Sequence, residues 1–199
     1  PVGVVGAVIP WNAPLVLFAQ KVAPALAVGC TVVLKPSEYA TFAVLRLAQL
    51  ISGLLPAGVL NVVTGPGDPA GQALISHPML DKLSFTGSRA VGRKIMHAAA
   101  DGFKRVSLEL GGKSPALVFA DADVGTAAAL TMGTVTLGLS GQVCLAQTRA
   151  LVHRDVADIT CLKIFRKRLR VGWKRLIGMH DNGPRVRRRI ERKNTDITP

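Results

Sequence analysis

Cysteine is scarce in these 199 residues: Cys30, Cys144 and Cys161 are the only three. Their spacing matches no zinc motif, and three thiols are too few for a disulfide scaffold. That usage fits a reducing, cytoplasmic setting. Histidine is equally sparse. His77, His97, His153 and His180 form no cluster, so no metal site is expected. No apolar run approaches the ~20 residues that span a bilayer. The longest, at residues 23–34, is broken by Pro24 and Gly29 and reads as core. No basic stretch followed by an apolar stretch opens the chain, so no secretory leader is read there. The first residue is Pro1 rather than methionine, which reads as a piece of something longer.

Acidic residues are missing mainly from one place. Residues 1–158 carry 12 Lys/Arg and 9 Asp/Glu, a net of +3, whereas residues 159–199 carry 13 and 3, a net of +10. The chain is thus a nearly neutral body with a strongly basic tail. With 49% apolar residues the body has material for a real hydrophobic core and is not a disordered segment.

The body alternates strand and helix patterns. Residues 2–9 are rich in β-branched side chains and end at Pro10, as a strand does. Asn12 stands where it could cap a helix over 14–28, which Gly29 closes. A short strand at 31–34 stops before Lys35-Pro36, and Ser37 precedes a helix over 39–54. Further strands are expected at 59–63, 80–85, 104–109, 116–119 and 147–152. Helices are expected ending at Ser76, after Ser88 as far as Ala100, and over 123–139. This alternation implies right-handed βαβ units and a mostly parallel α/β sheet. Ligands of such sheets sit beyond the carboxyl ends of the strands. Pro10-Trp11-Asn12, Lys35-Pro36-Ser37-Glu38, Phe85-Thr86-Gly87-Ser88 and Glu109-Leu110-Gly111-Gly112 all fall at such ends.

Two residues carry reactive chemistry in glycine-marked contexts. Glu109 lies in Leu108-Glu109-Leu110-Gly111-Gly112-Lys113, and Cys144 lies in Ser140-Gly141-Gln142-Val143-Cys144. A thiol with a carboxylate suits two-step covalent chemistry, in which sulfur attacks and a deprotonated water then releases the product. Each residue also has a plain reading. A lone cysteine is often buried structure, a carboxylate at a strand end is often a solvated charge, and Lys35 with Glu38 could be a surface ion pair worth about 0–1 kcal/mol.

Together these segments resemble the aldehyde dehydrogenase superfamily, NAD(P)-dependent enzymes that oxidise aldehydes to acids. The Pro-Trp-Asn, Lys-Pro-Ser-Glu, Phe-Thr-Gly-Ser, Glu-Leu-Gly-Gly-Lys and Gly-Gln-x-Cys patterns occur in family order from Pro1 to about Asp155. The resemblance implies residues 1–112 as a partial NAD-binding Rossmann-like domain. It implies residues 113–158 as the start of an incomplete catalytic domain, with residues 159–199 as a divergent basic tail. Cys144 would be the nucleophile and Asn12 an oxyanion donor. Glu109 would be the general base, its apolar and glycine neighbours suggesting a close-packed site that desolvates it. Lys35, Ser37 and Glu38 would hold the adenosine ribose, Glu38 favouring NAD over NADP by repelling a 2′-phosphate. Gly67, Gly71, Phe85, Thr86, Gly87 and Ser88 would receive the rest of the dinucleotide, with Ile9, Pro10, Trp11, Leu110 and Gly111 beside it. The family often carries Asn where Leu139 stands, and its Glu-x-Phe-Gly-Pro segment is not found here.

An aldehyde is the expected small-molecule partner. The family is typically homo-oligomeric, although its oligomerisation segments are not in this sequence. Two other functions compete. One is an inactive remnant that still binds NAD. The other is anion or nucleic-acid binding through the tail, where Lys163–Arg170 and Arg185–Arg189 are basic but only Phe165 and Trp173 are aromatic. Specific nucleic-acid recognition and membrane binding are not expected.

Overall fold

The computed structural model describes residues 1–133 and 139–160 and divides into two compact units. The first holds Pro1–Pro115 and Gly133–Arg149; the second holds Ala116–Met132 and resumes at Ala150. In the first unit strands and helices alternate: β1 (Val4–Ile9), α1 (Pro14–Ala27), β2 (Thr31–Pro36), α2 (Thr41–Ile51), β3 (Leu60–Val62), α3 (Gln72–Ser76), β4 (Lys82–Gly87), α4 (Arg89–Asp101) and β5 (Arg105–Leu110). Every pairing is parallel, and the strand order is β3-β2-β1-β4-β5. This is the expected α/β class with its parallel, doubly wound sheet.

Strand alternation sorts the helices onto two faces. Val5, Ala7 and Ile9 of β1 join Val32 and Leu34 of β2 in one buried cluster with Phe18 and Val22 of α1 and Val44 of α2. Leu83 and Phe85 of β4 form the other with Ile75 of α3 and Ile95 and Ala99 of α4. Each fully buried side chain of this size contributes about 1.5–3 kcal/mol. Successive side chains on a strand point to opposite faces. Because Leu83 and Phe85 face α4, Ser84 and Thr86 face the α1 side. On β5 the same logic puts Val106, Leu108 and Leu110 toward α4, and Ser107 and Glu109 on the other side. Parallel strands are ordinarily apolar on both faces. Here β4 and β5 are polar on one, and that face is where the site lies.

Three local expectations change. β2 continues through Lys35 to Pro36, which pairs with Ile9. Proline lacks the N–H, so the ladder loses one donor at that residue. Asn12 does not cap α1: the N-cap is Ala13, without a side-chain bond. The expected helix over 39–54 is an α-helix, α2, flanked by 3₁₀ turns at Glu38–Ala40 and Ser52–Leu54.

The second unit contains β6 (Ala116–Val118), α5 (Val124–Met132) and β7 (Ala150–Val152). β6 and β7 pair in parallel from Ala116–Ala150 to Val118–Val152. Asp123 caps α5, its carboxylate accepting from the Thr126 N–H at 2.6 Å. The remainder of the expected 123–139 helix runs into residues 134–138, outside the described residues. The tail from Cys161 onward, with its arginine runs, Phe165, Trp173 and His180, is outside them as well.

Candidate active site

β1 lies between β2 and β4, so the chain winds first to one side of it and then to the other. A crevice is expected where the winding reverses, beyond the ends of β1 and β4. Ile9 ends β1 and leads through Pro10 and Trp11 to Asn12, while Gly87 ends β4 and leads to Ser88.

A cavity of about 630 Å³ opens on the α1 side of β4 and β5. Lys21, Ser84, Thr86, Ser107, Glu109 and Cys144 are among the residues that line it. Glu109 sits opposite Thr86 in the β4–β5 ladder. Cys144 borders the same cavity, its segment belonging to the first unit. The approach is close: a Cβ on Gly112 would lie 3.3 Å from the Cys144 carbonyl. Both Glu109 and Cys144 are exposed.

Two features shape the loop before Cys144. The Asn12 side-chain amide donates to the Gln142 carbonyl at 2.8 Å, tying the end of β1 to the cysteine loop. Leu139, Ser140 and Gly141 are left-handed in succession, with φ of 51°, 58° and 80°. Glycine adopts that conformation freely, but leucine and serine do not.

Lys21 is the one charged residue of α1, and sequence reasoning passed over it. Its ammonium donates to the Ser84 hydroxyl at 3.1 Å. Burial pushes its pKa below the ordinary lysine value, the Glu109 carboxylate partly opposes this, and Lys82 adds a smaller lowering. A lone charge in a mostly apolar helix that packs on a sheet was the signal available in the sequence. Thr86 is the other surprise. It is buried, and its hydroxyl has no hydrogen-bond partner among the described residues.

On the opposite face a second cavity, of about 290 Å³, lies between α3 and α4 at the ends of β1 and β2. Lys35, Gly67, Asp68, Gly71, Val91 and Lys94 help line it. Lys35 is buried and donates to the Pro36 carbonyl at 2.9 Å. Burial lowers its pKa, and the Glu38 carboxylate partly opposes the shift. Ser37 caps the turn at Glu38, accepting from the Tyr39 N–H at 3.4 Å. Ser88 caps α4, accepting from the Val91 N–H at 3.3 Å, so the free N–H groups of the first turn face the strand ends. Leu110 packs against Gly92, where a Cβ would come within 2.9 Å, whereas Gly111 meets nothing within 4 Å. Among the described residues no group of three or more His, Cys, Asp or Glu is placed to hold a metal ion.

The family model for aldehyde dehydrogenases matches residues 1–189. The chain belongs to the aldehyde dehydrogenase family. Betaine aldehyde dehydrogenase of Atriplex hortensis, described as chloroplastic, is 51% identical over 158 residues, which are 79% of this chain and 31% of that protein. A crystal structure of an NAD-dependent aldehyde dehydrogenase from Sinorhizobium meliloti superposes with a TM-score of 0.81 at 47% identity, over 83% of this chain and 33% of that one. The NAD+ complex of an aldehyde dehydrogenase from Bacillus cereus gives 0.81 at 42% identity, over 84% and 34%. This aldehyde dehydrogenase chain therefore spans about a third of the length of the relatives it matches. The family match runs to residue 189, past Asp155, where the motif resemblance ends.

A dinucleotide fits the residues present in this family member. A Cβ on Gly67 would meet nothing within 4 Å, so the cavity is open there, and one on Gly71 would stand 3.6 Å from the Lys35 chain. The unpartnered Thr86 hydroxyl is a buried polar atom of the kind that a bound group satisfies.

Proposed function

We propose that this aldehyde dehydrogenase family member oxidises an aldehyde to a carboxylic acid with NAD, through a thioester on Cys144. One observation carries the reading. Cys144 and Glu109, 35 residues apart, border one cavity together with Lys21, beside the Asn12 amide that is anchored to the cysteine loop.

The steps follow from what each residue can do. The Cys144 thiolate adds to the carbonyl carbon, forming a C–S bond and leaving the charge on oxygen. An asparagine amide has two hydrogens. One of Asn12's is held by the Gln142 carbonyl, and the other is free to donate to that oxyanion, with the Cys144 N–H as second donor. NAD, when bound, supplies the hydride acceptor that turns the adduct into a thioester. Glu109 takes a proton from water as that water attacks the thioester, and Cys144 departs as thiolate. Lys21 borders the same cavity as Glu109, whose carboxylate favours its charged form. Lys35, Ser37 and Glu38 would hold the adenosine ribose, and Gly67, Gly71, Gly87 and Ser88 the phosphate-bearing stretch. A reducing, cytoplasmic compartment belongs to the same proposal, since Cys30 and Cys144 are both free thiols. Among the described residues no helix is long and apolar enough to cross a membrane.

The test is NADH formation with a panel of aldehydes, after an NAD titration. Cys144→Ala should abolish the signal while leaving NAD binding unchanged. Glu109→Gln should give one equivalent of NADH and then stall. Full turnover by the Cys144→Ala protein would end the reading. A second reading, NAD binding without turnover, draws on the exposure of Cys144 and Glu109, because such sites react best when closed to bulk water. It predicts a positive titration with no burst from any aldehyde.

A further inference from the structure

We propose that the end of the first cavity between Lys21 and Lys82 holds a carboxylate, so that the aldehyde oxidised is a short one with a carboxylate at its far end. The inference rests on the Cys144 reading above and narrows its substrate class. β4 and β5 present their polar face to this cavity in matched pairs, Ser84 opposite Ser107 and Thr86 opposite Glu109. Lys82 heads the same row, and Lys21 reaches into it from α1 through its hydrogen bond to Ser84. The row therefore has a direction. Thr86 and Glu109 stand at one end, and Lys82 starts β4 about 13 Å before Thr86.

The lysine end has no counterion. Glu109 is the one acidic residue among those lining the cavity, and it sits at the far end of the row. Neither Lys21 nor Lys82 has an ion-pair partner among the described residues. Lys21 has two ammonium hydrogens left after Ser84, and Lys82 has all three. Burial is the main cause of the lowered Lys21 pKa, and Lys82 adds to it, so the two cations are near enough to repel. Arg105, opposite Lys82 in the ladder, brings a third cation to that end of the sheet. Like charges left together break a local rule, and such breaches are expected where a ligand offsets them. A carboxylate offers about four acceptor positions, which two ammoniums and the hydroxyls of Ser84 and Ser107 can fill. The chain between the two ends is short. Ser84 lies about 7 Å before Thr86 along β4, a rise that about five carbons span. Val5, Leu17 and Ala25 line the cavity as well and give the methylenes apolar contact.

The experiment uses the 199-residue chain, with 5-oxopentanoate and pentanal as substrates and glutarate as a probe that needs no turnover. Initial rates of NADH formation should give 5-oxopentanoate a kcat/KM about tenfold above that of pentanal, the scale of a charge-assisted hydrogen bond. Lys82→Met should lower the first value alone and bring the two within about twofold. Lys82→Arg should keep the preference, which separates charge from folding. In titration calorimetry glutarate should bind the wild type, and Lys21→Met and Lys82→Met should each weaken it by about tenfold. Equal kcat/KM for the two aldehydes in the wild type, or glutarate binding that neither methionine variant weakens, would overturn the inference. No NADH from either aldehyde, by a chain whose glutarate binding still depends on Lys82, would end the Cys144 reading instead and keep the carboxylate site.

Discussion

The Asn12 amide and the Gln142 carbonyl, 130 residues apart, share a 2.8 Å hydrogen bond. The bond runs from side chain to backbone, so the identity of residue 142 is irrelevant to it while that of residue 12 is decisive. It fixes the orientation of Asn12 and, through Gln142, the start of the turn that carries Cys144.

This asymmetry gives the first prediction. Asn12→Ala should lower kcat by about 10²–10³, as loss of an oxyanion donor does, and should increase protease sensitivity of residues 139–146. Gln142→Ala should keep the bond and leave kcat within about threefold, since losses much beyond that need a missing donor. A matching loss in both variants would show that the loop, rather than the Asn12 amide, is what matters.

The second prediction concerns Leu139, which holds φ at 51°. A branched side chain in the left-handed region costs about 1–2 kcal/mol, whereas asparagine tolerates it by bonding to its own backbone. Leu139→Asn should therefore raise the thermal midpoint, and Leu139→Gly should do so less or not at all, because glycine also gains freedom in the unfolded chain. If the asparagine variant melts lower, the turn is stabilised by the leucine in a way its backbone angle does not reveal.

Much of this architecture was legible in the sequence, and the misses share a cause. β-branched and apolar runs marked the strands of the parallel sheet, and glycine and proline marked most ends. What failed were positions whose role depends on a distant partner. Asn12 looked like a local cap, yet its amide bonds to Gln142. Pro36 looked like a strand stop, yet β2 runs two residues beyond the expected end at residue 34, with Pro36 opposite Ile9. Lys21 was passed over although it is the lone charge on α1, because its place in the site comes from Ser84 and Glu109, on two strands. Periodicity reports which face a residue occupies; it does not report what stands opposite.

Lys21 supplies a pH prediction. Its folded pKa lies below the ordinary value of 10.5, chiefly because burial disfavours the charged form. Between the folded and unfolded values the unfolded chain binds more protons, so stability rises with pH through that window. Below the window the cost of burying the charge is fully present. Lys21→Met should remove this cost, and the gain over wild type should be largest near neutrality and shrink as pH approaches 10.5. Thermal midpoints of both proteins across that range would show it. A constant difference at every pH would mean that the charge on Lys21 contributes nothing.

The final prediction sets stability against function at Thr86. Its hydroxyl is buried and unpartnered, which leaves a desolvation cost of about 1–3 kcal/mol without compensation. Valine has nearly the same shape without the hydroxyl. Thr86→Val should therefore raise the stability of the protein free of NAD by about 1 kcal/mol. The residue lines the cavity beside Glu109, at the end of the strand that leads to Gly87 and Ser88. Its retention of a polar atom there makes sense if a bound group completes it. The same variant should bind NAD more weakly, by about tenfold, the scale of one hydrogen bond to a buried group. Denaturant melts with and without NAD measure both quantities at once. If the variant is more stable and binds NAD unchanged, the hydroxyl is an unexplained defect rather than part of the site.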